Sequence, residues 1–261
     1  MDIRNVGKRG ILFTFYDLGI ATNVYIIRGE KRFYVIDTYL GPEVMRQVNQ
    51  YIIKEYDGMG ENGGEEGSGG MQGTGGRAVI VVNTHSHWDH IWGNSLYSSG
   101  LIISHSKCRE HIREQGLHEL EKYGKYQRGE VVITLPNLTF TDEMLFEDDG
   151  ILLYYTPGHT DDGLSVLETR DRVLFAGDNL ERPVPSLSSR DLNGYARTLE
   201  EYLRLDFQAV IGGHTGIEGK SLVTDNLNYI KKVLSGDCAE FETGAYAENH
   251  RANMDWLRSG Q

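Results

Sequence analysis

The stretch of the chain with the most ligand chemistry is residues 84–90, THSHWDH, which carry three imidazoles and one carboxylate. His85 and His87 stand two apart, so in an extended loop both side chains can face one cation. Asp89 and His90 lie one turn onward, where they can reach a second cation. Imidazole and carboxylate are ligands for zinc, iron or manganese, and no thiolate lies nearby in the sequence. The spacing therefore predicts a metal site rather than a solvated loop.

The element that must position this cluster is the run just before it. Residues 78–82, AVIVV, are continuously apolar and mostly β-branched, which is typical of a strand buried on both faces. The strand ends where the histidines begin, so we expect the cluster at the mouth of a core strand. Asp37, at the end of an earlier predicted strand, either orients a ligand imidazole through its carboxylate or caps a turn.

Three further motifs place a histidine or an aspartate in a glycine-containing turn: TPGHT around His159, FAGD ending at Asp178, and GGHT around His214. Such sequences also suit ordinary turns. Their order after His-x-His-x-Asp-His favours ligands, because the four motifs together resemble the metallo-β-lactamase superfamily. The resemblance covers about residues 10–235.

This resemblance implies a binuclear metal centre with two divalent ions. Zinc is the expected metal, and iron or manganese are alternatives because His/Asp sites accept several metals. The implied ligands are His85, His87 and His159 for one ion, Asp89, His90 and His214 for the other, and Asp178 as the bridge between them.

Such a centre would generate its own nucleophile. A water shared by two ions loses its proton near neutral pH, which supplies hydroxide without a serine or cysteine nucleophile. The same ions would polarise a substrate carbonyl and stabilise the developing oxyanion. Asp89 would also hold the hydroxide in line, and it is therefore the predicted catalytic residue.

Within the superfamily, the ligand set argues against antibiotic cleavage. The most studied zinc β-lactamases carry Cys at the position of Asp178 and a basic residue at that of His90. The pattern here resembles glyoxalase II, lactonases and related enzymes, so we expect hydrolysis of a small-molecule ester, thioester or lactone. The region after His214 lacks a basic cluster matching the glutathione-binding extension of glyoxalase II.

An alternative from another class of enzyme stays open. Persulfide dioxygenases show the same motifs but use one iron, bound by residues matching His85, His159 and Asp178, to activate oxygen on a sulfur substrate. Metal content and oxygen uptake would separate this oxidoreductase from a hydrolase.

Composition limits the partners and the compartment. Lys and Arg number 26 against 38 Asp and Glu, giving a net charge of −12 that would repel nucleic acid and disfavours a phosphodiester hydrolase like RNase Z. Cys108 and Cys238 have no disulfide-framework spacing, and the first ten residues contain no apolar signal core. No apolar run of membrane-spanning length occurs. We therefore expect a cytoplasmic enzyme acting on a small molecule, with its oligomeric state undetermined.

The element pattern predicts one domain over residues 1–261 with an α/β (α+β) fold, a four-layer αββα sandwich. Three β-rich runs predict an antiparallel meander, and residues 42–56 predict an outer helix. Residues 57–76 are half glycine with four acidic residues, a composition that predicts a flexible surface insertion. The three runs of the meander are residues 11–16, 23–28 and 32–37.

The second half of the chain repeats this pattern. Short apolar runs punctuated by Asp-Gly and Pro-Gly turns predict a second sheet, and residues 192–205 and 222–234 predict helices. The polar tail, residues 236–261, supports no prediction. The predicted strands of the second sheet are residues 138–140, 144–146, 151–155, 164–167, 173–176 and 209–211.

Substrate contacts are harder to predict because they come from loops. Arg182 follows Asp178 by four residues in a loop restricted by prolines, where its guanidinium either binds a substrate anion or pairs with a surface carboxylate. Tyr123 and Tyr126 either line the substrate pocket or lie on a surface helix.

Overall fold

The computed structural model describes residues 1–56 and 77–259. Its first sheet has seven strands in sequential order, with the first four antiparallel and the next three added in parallel. These strands are β1 (Asp2–Val6), β2 (Gly10–Phe15), β3 (Thr22–Arg28), β4 (Arg32–Ile36), β5 (Ala78–Val82), β6 (Leu101–His105) and β7 (Leu138–Phe140).

The second sheet has six strands, also in sequential order. All neighbours are antiparallel except the fourth and fifth strands, which run parallel because a helix connects them. The strands are β8 (Glu143–Phe146), β9 (Ile151–Tyr155), β10 (Leu164–Glu168), β11 (Val173–Phe175), β12 (Ala209–Ile211) and β13 (Ile217–Glu218).

Helices connect and cover the sheets, and their ends carry the expected signals. Asp191 caps one helix by accepting a hydrogen bond from Gly194 N–H, and Gly236 ends another in the left-handed conformation at φ 76°. The helices are α1 (Pro42–Tyr56), α2 (Trp88–Ile91) with a 3₁₀ continuation (Trp92–Tyr97), α3 (Ser106–Tyr123), α4 (Leu192–Arg204), α5 (Lys220–Ser235) and α6 (Ala247–Arg258).

Three apolar clusters hold these layers together. The central one lies between the sheets, where residues such as Leu12 and Phe175 meet. The second lies between the first sheet and its helices and includes Val48 of α1. The third packs α4 and α5 on the second sheet and includes Leu199 and Ile230. Three apolar interfaces separate four layers, so the predicted αββα sandwich is confirmed.

The sequence prediction was wrong about one strand and missed others. Residues 138–140 belong to the first sheet, because the chain returns from α3 to pair in parallel with β6. Asn137 supports that pairing, since its amide oxygen accepts a hydrogen bond from Ile102 N–H at 3.0 Å. The polar sequence of β1, the short β13 and the tail helix α6 were not predicted. The predicted insertion, residues 57–76, lies outside the described residues.

The topology gathers the polar motifs at one edge. Asp37 follows β4, His85 follows β5, Asp178 follows β11 and His214 follows β12. Ligand sites in open α/β sheets form at such carboxyl ends. No helix within residues 1–56 and 77–259 is long and apolar enough to cross a membrane.

Candidate metal centre

The loop between β5 and α2 is fixed by one buried carboxylate. Asp37 Oδ1 accepts a hydrogen bond from Thr84 N–H at 2.7 Å, and Asp37 Oδ2 accepts one from Thr84 Oγ1 at 2.8 Å. The same Oδ2 lies 2.9 Å from His90 Nδ1. Asp37 adopts a left-handed backbone, with φ 62°. Of the two interpretations of Asp37, these contacts match the one in which it orients an imidazole.

The first group of candidate ligands brings together three motifs that are distant in sequence. His159 Nε2 lies 3.2 Å from His87 Nδ1, and Asp178 Oδ2 lies 3.5 Å from His85 Nε2. One ligand atom from each of these four residues lies within 4.8 Å of the others. The structure therefore brings together the residues predicted for one ion and the predicted bridge.

The second group lies directly beside the first. His214 Nε2 is 3.4 Å from Asp89 Oδ2 and 3.4 Å from His90 Nε2. Asp178 Oδ2 is 3.2 Å from His214 Nε2 and 3.4 Å from His90 Nε2, so this carboxylate contacts both groups. Gly213 permits this position of the Asp178 carboxylate, because a Cβ at residue 213 would overlap Asp178 Oδ1.

The donor set fits metal ions. His85 Nε2 and Asp178 Oδ1 are buried and have no hydrogen-bond partner within residues 1–56 and 77–259. Buried polar atoms are normally satisfied, because leaving one unpaired costs roughly 1–3 kcal/mol. Divalent cations at this position would satisfy both atoms with the imidazole and carboxylate ligands that zinc, iron and manganese accept.

Partners on the outer side of the rings fix their orientation, as is usual for metal-binding histidines. Thr84 Oγ1 donates to Asp37, so it accepts from His85 Nδ1 and leaves Nε2 free to face the centre. His159 Nδ1 donates to Ser186 O at 2.8 Å, and His214 Nδ1 donates to Ala21 O at 2.7 Å.

The first group is electrically suited to a cation. Burial lowers the pKa of His87 to about 4, and the neighbouring His159 adds to this effect. Burial and the adjacent His90 lower the pKa of His85 well below its usual value. Both imidazoles are therefore neutral at physiological pH, which is the form that binds metal.

The second group carries protons in the metal-free protein. Burial alone would lower the pKa of His90, but the carboxylates of Asp178 and Asp89 outweigh it and raise that pKa well above its usual value. The pKa of His214 is raised against burial by the same two carboxylates. In turn, the imidazoles outweigh burial and hold the pKa of Asp178 well below its usual range.

Glu181 is a site residue that sequence reasoning missed. Its buried carboxylate accepts hydrogen bonds from Ser186 N–H at 2.9 Å and Ser186 Oγ–H at 2.7 Å, and so fixes the residue whose carbonyl accepts from His159. Burial and the charge of Asp178 raise the pKa of Glu181. The only sequence signal was its position three residues after Asp178.

Arg182 pairs with surface carboxylates. Its guanidinium lies 3.3 Å from Glu218 and 3.2 Å from Asp225, and its side chain is 45% exposed. These contacts match the ion-pair interpretation, with partners other than Glu181. The anion-binding interpretation remains an untested prediction.

A cleft of about 470 Å³ opens onto the candidate ligands. One side carries an aromatic wall, which we define as Trp88, Tyr123 and Tyr126. The indole stacks on both phenol rings, with centroids 4.9 Å from Tyr123 and 5.5 Å from Tyr126. The structure thus places both tyrosines on the cleft. Its remaining lining residues are Leu18, Ile20, His87, Asp89, His159, Asp178, Glu181, Arg182, Ser186, His214 and Asn249.

Comparisons with known proteins identify sequence relatives of this chain. Residues 18–214 match the model of a family described as the metallo-beta-lactamase superfamily. A relative from Drosophila melanogaster, "Beta-lactamase-like protein 2 homolog", is 26% identical over 205 residues, 76% of this chain. The match spans only 59% of that relative's length. A human relative, "Acyl-coenzyme A thioesterase MBLAC2", is 23% identical over 253 residues, 88% of this chain and 86% of its own length.

Solved structures show the same fold. The DIM-1 metallo-beta-lactamase has a TM-score of 0.63 at 18% identity, covering 89% of this chain and 97% of its own. A metallo-beta-lactamase from Pontibacter korlensis has a TM-score of 0.64 at 16% identity, covering 88% and 98%. Because both matches cover at least 88% of each chain, the fold is shared across nearly the whole of these chains.

Proposed function

Because the chain belongs to the metallo-β-lactamase superfamily, we propose that it is a binuclear metal-dependent hydrolase of small-molecule thioesters or related esters. The observation that carries this proposal is the position of Asp178 between two ligand groups. Its Oδ2 lies within 3.2–3.8 Å of four imidazole nitrogens, two in each group. A single carboxylate so placed is suited to bridge two ions.

The residues divide the work between holding ions and directing the reaction. His85, His87 and His159 would hold one ion; Asp89, His90 and His214 would hold the other. With ions bound, the centre would supply hydroxide near neutral pH and polarise the acyl carbonyl.

Asp89 has a further role in this proposal. It lies on the cleft, and against burial the charges of His90 and His214 lower its pKa, so it stays ionised. An ionised carboxylate accepts a hydrogen bond from the attacking water and thereby fixes its direction.

Thioesters are the favoured substrates for two reasons. The relative matched over 86% of its own length is named an acyl-coenzyme A thioesterase. The ligand set has an aspartate, Asp178, where the most studied zinc β-lactamases have cysteine, which argues against β-lactams.

Metal analysis combined with an acyl-thioester assay tests the proposal. We expect about two zinc, manganese or iron ions per chain after reconstitution, and hydrolysis under anaerobic conditions. Asp89→Asn should strongly lower turnover, whereas Glu218→Gln, outside the centre, should not. One iron per chain with oxygen consumption on a persulfide would instead identify the oxidoreductase alternative.

A further inference from the structure

The aromatic wall begins beside the candidate metal centre. Trp88 stands between His87 and Asp89 in the sequence, so its indole leaves the backbone at the point where the ligands do. The rings of Tyr123 and Tyr126 stack on it at 15° and 21° and extend the wall to the end of α3. A group attached to a carbonyl at the centre would therefore meet this apolar surface first.

Aliphatic side chains complete the apolar side of the cleft. Leu18 and Ile20, in the turn between β2 and β3, line the same cavity. Ile20 is 53% exposed, although isoleucine is among the residues most often buried. Covering such an exposed aliphatic side chain with an apolar ligand is favourable, because apolar surface is removed from water.

The rest of the described lining of the cleft is polar and has little free positive charge. It carries Glu181, Ser186 and Asn249. Arg182 is the one lysine or arginine among the described lining residues, and its guanidinium contacts Glu218 and Asp225. The described lining thus offers a large apolar surface but no unpaired cation for a phosphate or carboxylate.

On the basis of the proposed function, we infer that the aromatic wall with Leu18 and Ile20 is the acyl-binding subsite. The substrate class is then thioesters of extended, apolar acyl groups, with the carrier's charged parts outside the cleft. Fully burying a methylene strengthens binding about fourfold (~0.8 kcal/mol). A surface that covers one side of the chain should give about half of that free energy, or roughly twofold per methylene.

The test is a chain-length series of saturated acyl thioesters of N-acetylcysteamine, from acetyl to decanoyl, with the metal-loaded protein. For wild type we expect kcat/KM to rise about twofold per methylene. Ile20→Ala and Tyr126→Ala should flatten this slope, so that the loss of kcat/KM relative to wild type grows from the acetyl to the decanoyl substrate. Leu117→Ala is the control, because Leu117 is 74% exposed and does not line the cleft.

Binding is measured separately with unreactive alkyl thioethers of the same lengths by calorimetry. Their dissociation constants should follow the same slope and the same flattening in the variants. Tyr126→Leu, which keeps an apolar side chain, should restore most of the slope and so guards against a folding defect in Tyr126→Ala.

Other outcomes overturn the inference. A flat wild-type slope, or a slope unchanged in both variants, excludes this surface as the acyl subsite. If the variants lose activity equally at every length, and only on coenzyme A thioesters, the wall instead binds the carrier's nucleotide. Failure of wild type to hydrolyse any thioester or oxygen ester rejects the proposed function, while the thioether slopes still decide whether the apolar subsite exists.

Discussion

The two groups of candidate metal ligands contain similar residues but differ in the direction of their histidine pKa shifts. Burial and, to a smaller extent, neighbouring imidazoles lower the pKa values of His85 and His87. His90 and His214 face carboxylates, and their pKa values are raised. Identical side chains separated by a few ångströms thus hold different protonation states before any ion binds.

The difference shows that ligand identity alone does not determine metal affinity. A neutral imidazole offers its lone pair directly, whereas an imidazolium must lose its proton before it can bind. The first group is therefore ready for a cation. The second group, stabilised by its own ion pairs in the metal-free protein, must exchange protons for metal.

The largest effect should follow from removing the carboxylate that both groups share. Asp178→Asn should release both ions and lower kcat/KM by roughly a thousandfold or more, because several kcal/mol of electrostatic stabilisation are lost. Metal analysis and kinetics check this expectation, with circular dichroism to verify folding. Two bound ions in this variant would show that the two groups do not depend on a shared bridge.

Removing one histidine from each group separates their contributions. His87→Ala should lose the first ion and His214→Ala the second, each with a loss of activity of about a hundredfold or more. The fold should persist in both, since three apolar clusters, and not the candidate ligands, hold the layers together. Metal stoichiometry measured in parallel on the two variants checks the assignment, and identical loss of both ions would contradict it.

Acidification should empty the second group before the first. Because the pKa values of His90 and His214 are raised, protons compete for these nitrogens as the pH falls from neutral. The pKa of His87 is about 4, so protons compete there only near that pH. Dialysis at stepped pH followed by metal analysis should show two separate releases. Simultaneous release of both ions would contradict the electrical contrast.

A smaller effect is expected at the carboxylate behind His90. Asp37→Asn should weaken binding of the second ion by about 10–100-fold, the usual cost of losing an outer partner of a ligand histidine. The first ion should be affected less, because Asp37 reaches His85 only through Thr84. Competition with a chromophoric chelator measures the two affinities, and equal weakening would show that Asp37 supports the whole loop.

The smallest effect is expected at Arg182. Its exposed ion pairs contribute about 0–1 kcal/mol, so Arg182→Ala should change thermal stability little. On matched charged and uncharged thioesters, kcat/KM should change about equally and by less than about threefold. A tenfold loss confined to the anionic substrate would favour the anion-binding interpretation instead.

Sequence reasoning identified the candidate ligands where the signal was local and chemical. The four motifs carry ligand side chains in short, recognisable turns, and the structure brings all seven side chains together. It failed to identify the groups that orient the candidate ligands, because tertiary contacts determine which groups these are. Ser186 and Ala21 hold ligand histidines through backbone carbonyls, which any residue type could supply.

Prediction of the fold likewise worked for elements with local signals and failed for elements that depend on tertiary contacts. Helix α1 was predicted at its exact bounds, because its apolar spacing and its N-terminal proline are local signals. The three-residue strand β7 was assigned to the wrong sheet, since its pairing depends on the return from α3 rather than on its own sequence. Helix α6 was missed because most of its residues are polar, and Asn253 holds it by contacting Leu187 N–H and Pro185 O.

The backbone at the end of β4 sets a limit on how this protein can be made more heat-resistant. Asp37 and Tyr39 have φ values of 62° and 52°, a conformation that costs roughly 1–3 kcal/mol in residues other than glycine. Asp37→Gly would relax the backbone, yet it would remove the carboxylate that positions Thr84 and His90. Since those buried donors would be left unpaired, at a cost comparable to the strain relieved, the usual stabilisation of a left-handed residue by glycine is closed at this position.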